Sequence, residues 1–166
     1  MSTDVARHFE EHRGRVYRWA YALCGRHEDA LDAVQEVFLR MLKNPPQPAG
    51  PFALIGWLRR ATSSVVIDRW RRFAHRTATP DEQLADEHAP ETPESRETAE
   101  QLRRAIQSLS EQQRQVLLAK VYDRMSFSQI AEELGISPST AKTHYLRALN
   151  MARAYLKIDL SVGSQS

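Results

Sequence analysis

Apolar residues recur every three or four positions along most of the chain, which is the period of a helix with one buried face. In the first helix, expected over Thr3 to Cys24, Phe9, Val16, Trp19 or Ala20, and Leu23 share a face. Gly25 stops it, as a glycine just past a helix commonly does. The second is expected over Glu28 to Lys43, with Leu31, Val34, Val37 or Phe38, Met41 and Leu42 inward. The run Asn44-Pro45-Pro46-Gln47-Pro48 then breaks the chain, because proline cannot continue a helix. A third helix, Phe52 to Arg72, carries Phe52, Ile55, Leu58 with Trp57, Val65 or Val66, and Trp70. No alternating apolar–polar run bounded by hairpin turns occurs, so strands are not expected.

The period fades over Thr77 to Glu97, which holds Pro80, Pro90 and Pro93 and almost no large apolar side chain. That is linker composition. The period returns at Thr98, with Leu102, Ala105, Ile106 and Leu109 on one face. Ser110 followed by Gln113 reads as a capping box ahead of Val116, Leu117 and Val121, and Ser126 followed by Gln129 reads as a second. Ile130, Ala131 and Leu134 face inward from that short helix. Gly135-Ile136-Ser137 makes a tight turn, Ser137 caps the last helix, and Pro138 takes its first position, where a missing N–H costs nothing. That helix runs to about Leu156, with Ala141, Tyr145, Ala148 or Leu149, and Ala152 inside. The fold class is all-α: two small helical domains, residues 1–76 and 98–160, joined by an acidic linker at 77–97 and followed by a tail at 161–166.

The formal net charge is only +2, but the charge is segregated. Arg59 to Arg76 contains six arginines against Asp68 alone. Asp81 to Glu100 contains eight acids against Arg96 alone. Pro138 to Lys157 contains Lys142, Arg147, Arg153 and Lys157 with no acid. Two basic surfaces separated by an acidic strip suggest two contacts with a polyanion. The single cysteine, Cys24, sits in an apolar helical pattern and fits a buried thiol in a cytosolic protein. Met1 to Glu10 has no apolar core of the signal-peptide kind, and no apolar run reaches the ~18 residues that would suggest insertion in a membrane.

Three constellations carry the chemistry. The strongest is Ser126 to Arg153, whose short helix, glycine turn and capped second helix make a helix-turn-helix. The small Ala131 suits close helix packing, and Gly135 permits a positive φ in the turn. Ser139, Thr140, Lys142, Thr143, His144 and Arg147 fall on the outer face of the second helix, with groups suited to phosphate oxygens and base edges. The next is Trp57 to Arg76, where Asp68-Arg69-Trp70-Arg71-Arg72 gathers aromatic and basic groups at a helix end. It reads either as a contact for unpaired nucleic acid or as a solvated helix end with a core tryptophan. The third is the row Asp32, Gln35, Glu36 and Arg40, at i, i+3, i+4 and i+8 and opposite the apolar stripe. By spacing alone it is a solvated face, since no nucleophile, glycine-rich loop or ligand pattern accompanies it. His8 and His12 stand at i, i+4, but a pair without a third ligand does not make a metal site. No metal, cofactor or catalytic residue is expected.

The stretch His27 to Arg40, reading H-E-D-A-L-D-A-V-Q-E-V-F-L-R, resembles region 2 of the extracytoplasmic-function (ECF) RNA polymerase sigma factors. Trp57-Leu58-Arg59-Arg60 through Asp68-Arg69-Trp70-Arg71-Arg72 resembles the segment that follows in that family. Leu102 to Leu109, Gln112 to Leu117 and Phe127 to Leu149 resemble region 4, including I-A-x-x-L-G-I-S-x-x-T-x-K. These matches span most of residues 5 to 156 and occur in the family's order.

The resemblance implies a promoter-directing function without covalent chemistry. Asp32, Gln35, Glu36 and Arg40 would dock on the clamp helices of core RNA polymerase. Arg60, Ser64, Asp68, Arg69, Arg71 and Arg72 would meet the −10 element of promoter DNA. Ser139, Thr140, Lys142, Thr143, His144 and Arg147 would read the −35 element in the major groove. An anti-sigma factor is a further partner that the family implies. Ser63-Ser64 stands where the family often has Arg-Asn, and Ala141 replaces the usual Val after the Thr. The proline-rich approach to the third helix and Lys142-Thr143-His144 resemble the ferric-citrate, iron-uptake subgroup. Three other functions compete: a stand-alone helix-turn-helix regulator, against which the Asp29 to Arg40 segment argues; an enzyme acting on nucleic acid through carboxylates such as Asp32 and Glu36, with metal-dependent turnover, against which the lack of clustered ligands argues; and a structural adaptor, which would leave both basic patches unexplained.

Overall fold

The computed structural model describes residues 2–47, 52–74 and 92–156. Every element among them is an α-helix, and the chain divides into two compact units, Met1–Ala89 and Pro90–Ser166. The body of the acidic segment and the C-terminal tail fall outside the described residues.

The first unit is built from α1 (Ser2–Cys24), α2 (His27–Lys43) and α3 (Ala53–Ala74), each packed on the other two. Gly25, at φ 68°, turns the chain from α1 into α2, and its N–H donates to Tyr21 O at 2.7 Å. A hydrogen bond of 2.8 Å between Tyr17 Oη and His27 Nδ1 ties the same corner. Helix α2 opens on Glu28 and Asp29 and closes on Arg40 and Lys43, the order that complements a helix dipole. Its buried face is Ala30, Ala33, Val34, Val37, Phe38 and Met41. Leu31 and Leu42, expected inside, are exposed (42% and 51%), because Ala30 and Met41 take the inward positions one residue away. Phe38 meets Phe9 of α1 edge-on, ring centres 5.1 Å apart. Val16, Trp19 and Leu23 of α1 and Leu58, Val65 and Val66 of α3 are buried in the core of this unit, where the two helices meet.

Helix α3 also buries Arg59, Thr62 and Ser63. The Arg59 guanidinium lies over the Trp19 ring, 5.8 Å from its centroid, where the negative face of the indole offsets part of the cost of burying the cation. Thr62 Oγ1 donates to Leu58 O at 2.7 Å, returning its hydroxyl to its own helix. Trp70, placed on the apolar stripe by its spacing, is 45% exposed at the basic end of the helix.

The second unit comprises α4 (Pro93–Ser108), α5 (Glu111–Val121), α6 (Phe127–Leu134) and α7 (Pro138–Leu156). Helix α4 starts five residues before Thr98, within the segment read as linker, and Pro93 holds its first position. Both capping boxes form: Ser110 with Gln113, and Ser126 with Gln129. The core is Ala105, Ile106, Leu109, Val116, Leu118, Ala119, Met125, Ile130, Ala131, Ala141 and Ala148. Leu118 therefore takes the inward place assigned to its neighbour Leu117, while Val121 and Leu102 are exposed. Arg114 is buried, and its guanidinium donates to Glu111 at 3.2 Å.

Candidate nucleic-acid and protein interfaces

In the first unit, α2 and α3 face each other with charge. On α2, Asp32, Gln35, Glu36, Leu39 and Arg40 follow at i, i+3, i+4, i+7 and i+8, and on α3, Val65, Arg69 and Arg72 follow at i, i+4 and i+7. Together these eight line an open cleft of about 370 Å³. Arg69 donates to Asp32 across it at 2.9 Å, joining residues 37 positions apart. Arg40 is 3.4 Å from Glu36 and also donates to Ser64 Oγ at 3.3 Å. Ser64 Oγ donates on to Asp68 at 3.4 Å. Residues that the resemblance assigns to different macromolecules thus meet here, Asp32 with Arg69 and Arg40 with Ser64 and Asp68.

Of the predicted −10 residues, Arg69 and Arg72 enter the cleft, Ser64 and Asp68 lie beside it on the Arg40 side, and Arg60 and Arg71 do not line it. Leu39 and Val65, neither of them among the predicted site residues, supply its apolar wall. Leu39 was legible, as an apolar residue off the buried stripe; Val65 was not, because it also belongs to the core.

In the second unit, α6 and α7 meet through the turn that the sequence predicts. Gly135 is left-handed at φ 68°, and its neighbour Ile136 donates to Ala131 O at 3.0 Å. Nothing stands within 4 Å of a Cβ built on Gly135, so the backbone angle alone calls for glycine there. Ser137 Oγ accepts from Thr140 N at 3.0 Å, capping α7. The same hydroxyl donates to Thr140 Oγ1 at 2.8 Å and lies 3.1 Å from Ser139 Oγ. The wholly buried Ala141 and Ala148 seat α7 on the core, and the Phe127 and Tyr145 rings pack at 5.6 Å.

This placement separates the six predicted −35 residues. Ser139, Thr140, Lys142, Thr143 and Arg147 are exposed, and Ser139, Thr143 and Arg147 form a row at i, i+4 and i+8. The Thr143 hydroxyl donates to Ser139 O at 3.0 Å. Lys142 and Arg147 form no ion pair among the described residues, which leaves two exposed cations at opposite edges of the solvent-facing side of a capped helix. His144 departs from the expected outer face: it is half-buried, and its Nδ1 is out of solvent without a hydrogen-bond partner among the described residues. It sits at the seam between the buried row Ala141–Ala148 and the exposed row, so the helical period alone did not decide its side.

Comparison with known proteins agrees with this division. Residues 8–77 match the family described as Sigma-70 region 2, and residues 99–151 match Sigma-70, region 4. The chain is 31% identical to the ECF RNA polymerase sigma factor SigL of Mycobacterium tuberculosis over 154 residues, covering 86% of this chain and 85% of SigL. It is 32% identical to the ECF RNA polymerase sigma factor SigE of Mycolicibacterium smegmatis over 163 residues, covering 94% of this chain and 63% of SigE. The fold is similar to that of the sigma factor RpoE from Bartonella quintana, solved in complex with the anti-sigma factor NepR, at a TM-score of 0.57 and 18% identity over 94% of this chain and 98% of RpoE. With both regions present in order and SigL matched across most of its length, the chain belongs to the ECF RNA polymerase sigma factors, initiation factors that are not enzymes.

Proposed function

We propose that the two units divide promoter recognition between them. The domain covering residues 1–76 binds core RNA polymerase and the −10 element, the domain covering 98–160 binds the −35 element, and 77–97 links them ahead of a tail at 161–166. The cleft between α2 and α3 carries this reading: it offers Asp32, Gln35, Glu36 and Arg40 to the polymerase and Arg69 and Arg72 to DNA phosphates from adjoining walls. Arg60, Ser64, Asp68 and Arg71 complete the −10 contact, with the exposed Trp70 ring available for stacking on an unpaired base. In α7, Lys142 and Arg147 supply the charge and Ser139, Thr140 and Thr143 the hydroxyls for the −35 contact. His144 contributes from the edge of that surface.

The partners in this reading are core RNA polymerase, promoter DNA and an anti-sigma factor, and the compartment is the cytoplasm. Among the described residues no helix is long and apolar enough to cross a membrane. The proline-rich run Asn44 to Pro51 and the Lys142-Thr143-His144 stretch support the ferric-citrate, iron-uptake subgroup. Transcription from a genomic promoter library by purified core polymerase, with and without the protein, tests the whole. New start sites sharing spaced −35 and −10 elements are expected, and their absence with folded, core-bound protein would overturn the assignment. Promoters lying upstream of iron-uptake genes would support the subgroup, and their absence from the set would remove it.

A further inference from the structure

Helix α1 carries a cluster that the promoter-binding surfaces do not use. His8, Glu11 and His12 stand at i, i+3 and i+4, so one face of the helix presents all three. One ligand-capable atom from each lies within 4.8 Å of the others. The two imidazoles are stacked, with centroids 6.1 Å apart and planes 27° from parallel. Glu11 Oε2 is 3.7 Å from His12 Nε2. The neighbouring Glu10 is turned to Arg13 instead, at 3.8 Å. His8 Nδ1 is out of solvent and has no hydrogen-bond partner among the described residues.

We propose that His8, Glu11 and His12 bind one divalent transition-metal ion of the zinc type. Two imidazoles and a carboxylate are a borderline-soft donor set, which suits zinc and its late first-row neighbours and disfavours magnesium or calcium. Three protein ligands leave a further position for water. The imidazoles must be neutral to coordinate, so binding should weaken as the pH falls. Glu11 supplies the one negative charge of the three ligands.

The cluster lies on the turns of α1 flanking Phe9, whose ring meets Phe38 of α2. An ion bridging residues 8 and 12 would staple the turn that carries Phe9, and so stabilise the α1–α2 contact in proportion to occupancy. That makes the first unit's stability metal-dependent, whatever the polymerase and DNA surfaces do.

The test is titration of the full-length chain with Zn2+, and with Mg2+ as control, read by the ring resonances of its histidines and by calorimetry. One equivalent of Zn2+ should shift His8 and His12 together, with micromolar or tighter affinity, and Mg2+ should shift neither. His8→Gln with His12→Gln should abolish that site. Glu11→Gln, a change at an exposed side chain, should weaken it on the order of 10-fold or more, since it removes one of the three ligands and losing even a group that only supports a ligand costs about that much. Zn2+ also should raise the melting temperature of the wild type and not of the double variant. Three results would each overturn the site: no Zn2+ binding by the wild type, shifts confined to other histidines, or equal affinity in wild type and Glu11→Gln. The resonances and Glu11→Gln decide the matter even if the double histidine variant fails to fold.

Discussion

The charged groove of the first unit and the helix-turn-helix of the second present basic residues in opposite electrostatic states. Arg69 and Arg40 lie within 4 Å of Asp32 and Glu36, so these two cations of the groove are paired and positioned by the protein itself. Lys142 and Arg147 have no such partner among the described residues, and their positions are set only by where α7 points them. An Arg already paired to a carboxylate has less to gain from a phosphate, because one contact replaces another. An unpaired cation keeps its full attraction for the polyanion and releases counterions on binding. On the proposed assignment, the second unit would attract duplex DNA at long range, and the first would make a contact that matures when its internal pairs are exchanged.

The largest expected effect breaks the comparison at its second member. Replacing Lys142 and Arg147 with Ala should reduce −35-dependent promoter use on the order of 10- to 100-fold per base contact, ~1–3 kcal/mol each, with a shallower salt dependence. Footprinting and run-off transcription at several salt concentrations measure it, and unchanged output would take α7 out of the contact. Next, Gly135→Ala places an L side chain at φ 68° and should cost about 1–2 kcal/mol in the second unit's stability, since the left-handed conformation is strained for any Cβ. Ser137→Ala removes the cap of α7 and should cost about 1 kcal/mol. Thermal melting separates both from DNA effects when DNA binding is measured below the transition.

The smaller effects sharpen the first member. The Asp32–Arg69 pair has side chains 52% and 36% exposed, so a double-mutant cycle should give only ~0.2–1 kcal/mol of coupling in stability. Its functional signature is larger than its stability. Asp32→Ala should weaken capture of core polymerase while modestly raising the free protein's affinity for single-stranded DNA, because Arg69 loses its competitor. A pull-down and a fluorescence titration test the two halves, and a fall in both would mean that the pair only positions Arg69.

Much of this was legible in the chain. The apolar period placed seven helices, and Ser110, Ser126, Gly135 and Ser137 marked boundaries that the structure keeps. The order of the motifs indicated the family, and the helix-turn-helix was readable because all its determinants are local: two caps, a turn glycine and a small residue at the crossing. The i, i+3, i+4 spacing of His8, Glu11 and His12 was equally visible, yet only two of the three were weighed as ligands.

What sequence alone determined is therefore what depends on neighbours within a turn or two: helical period, caps, the left-handed turn, and the sign of charge along each segment. Tertiary structure decided which edge of each helix lies covered. A period of 3.6 residues defines a face but not its margins, so Leu31, Leu42 and Trp70 went outward and His144 inward. It also buried Arg59 against Trp19 and brought Asp32 to Arg69, 37 positions away. Both need two helices to meet in one register, and that register comes from side chains interlocking across the core, which no single helix encodes.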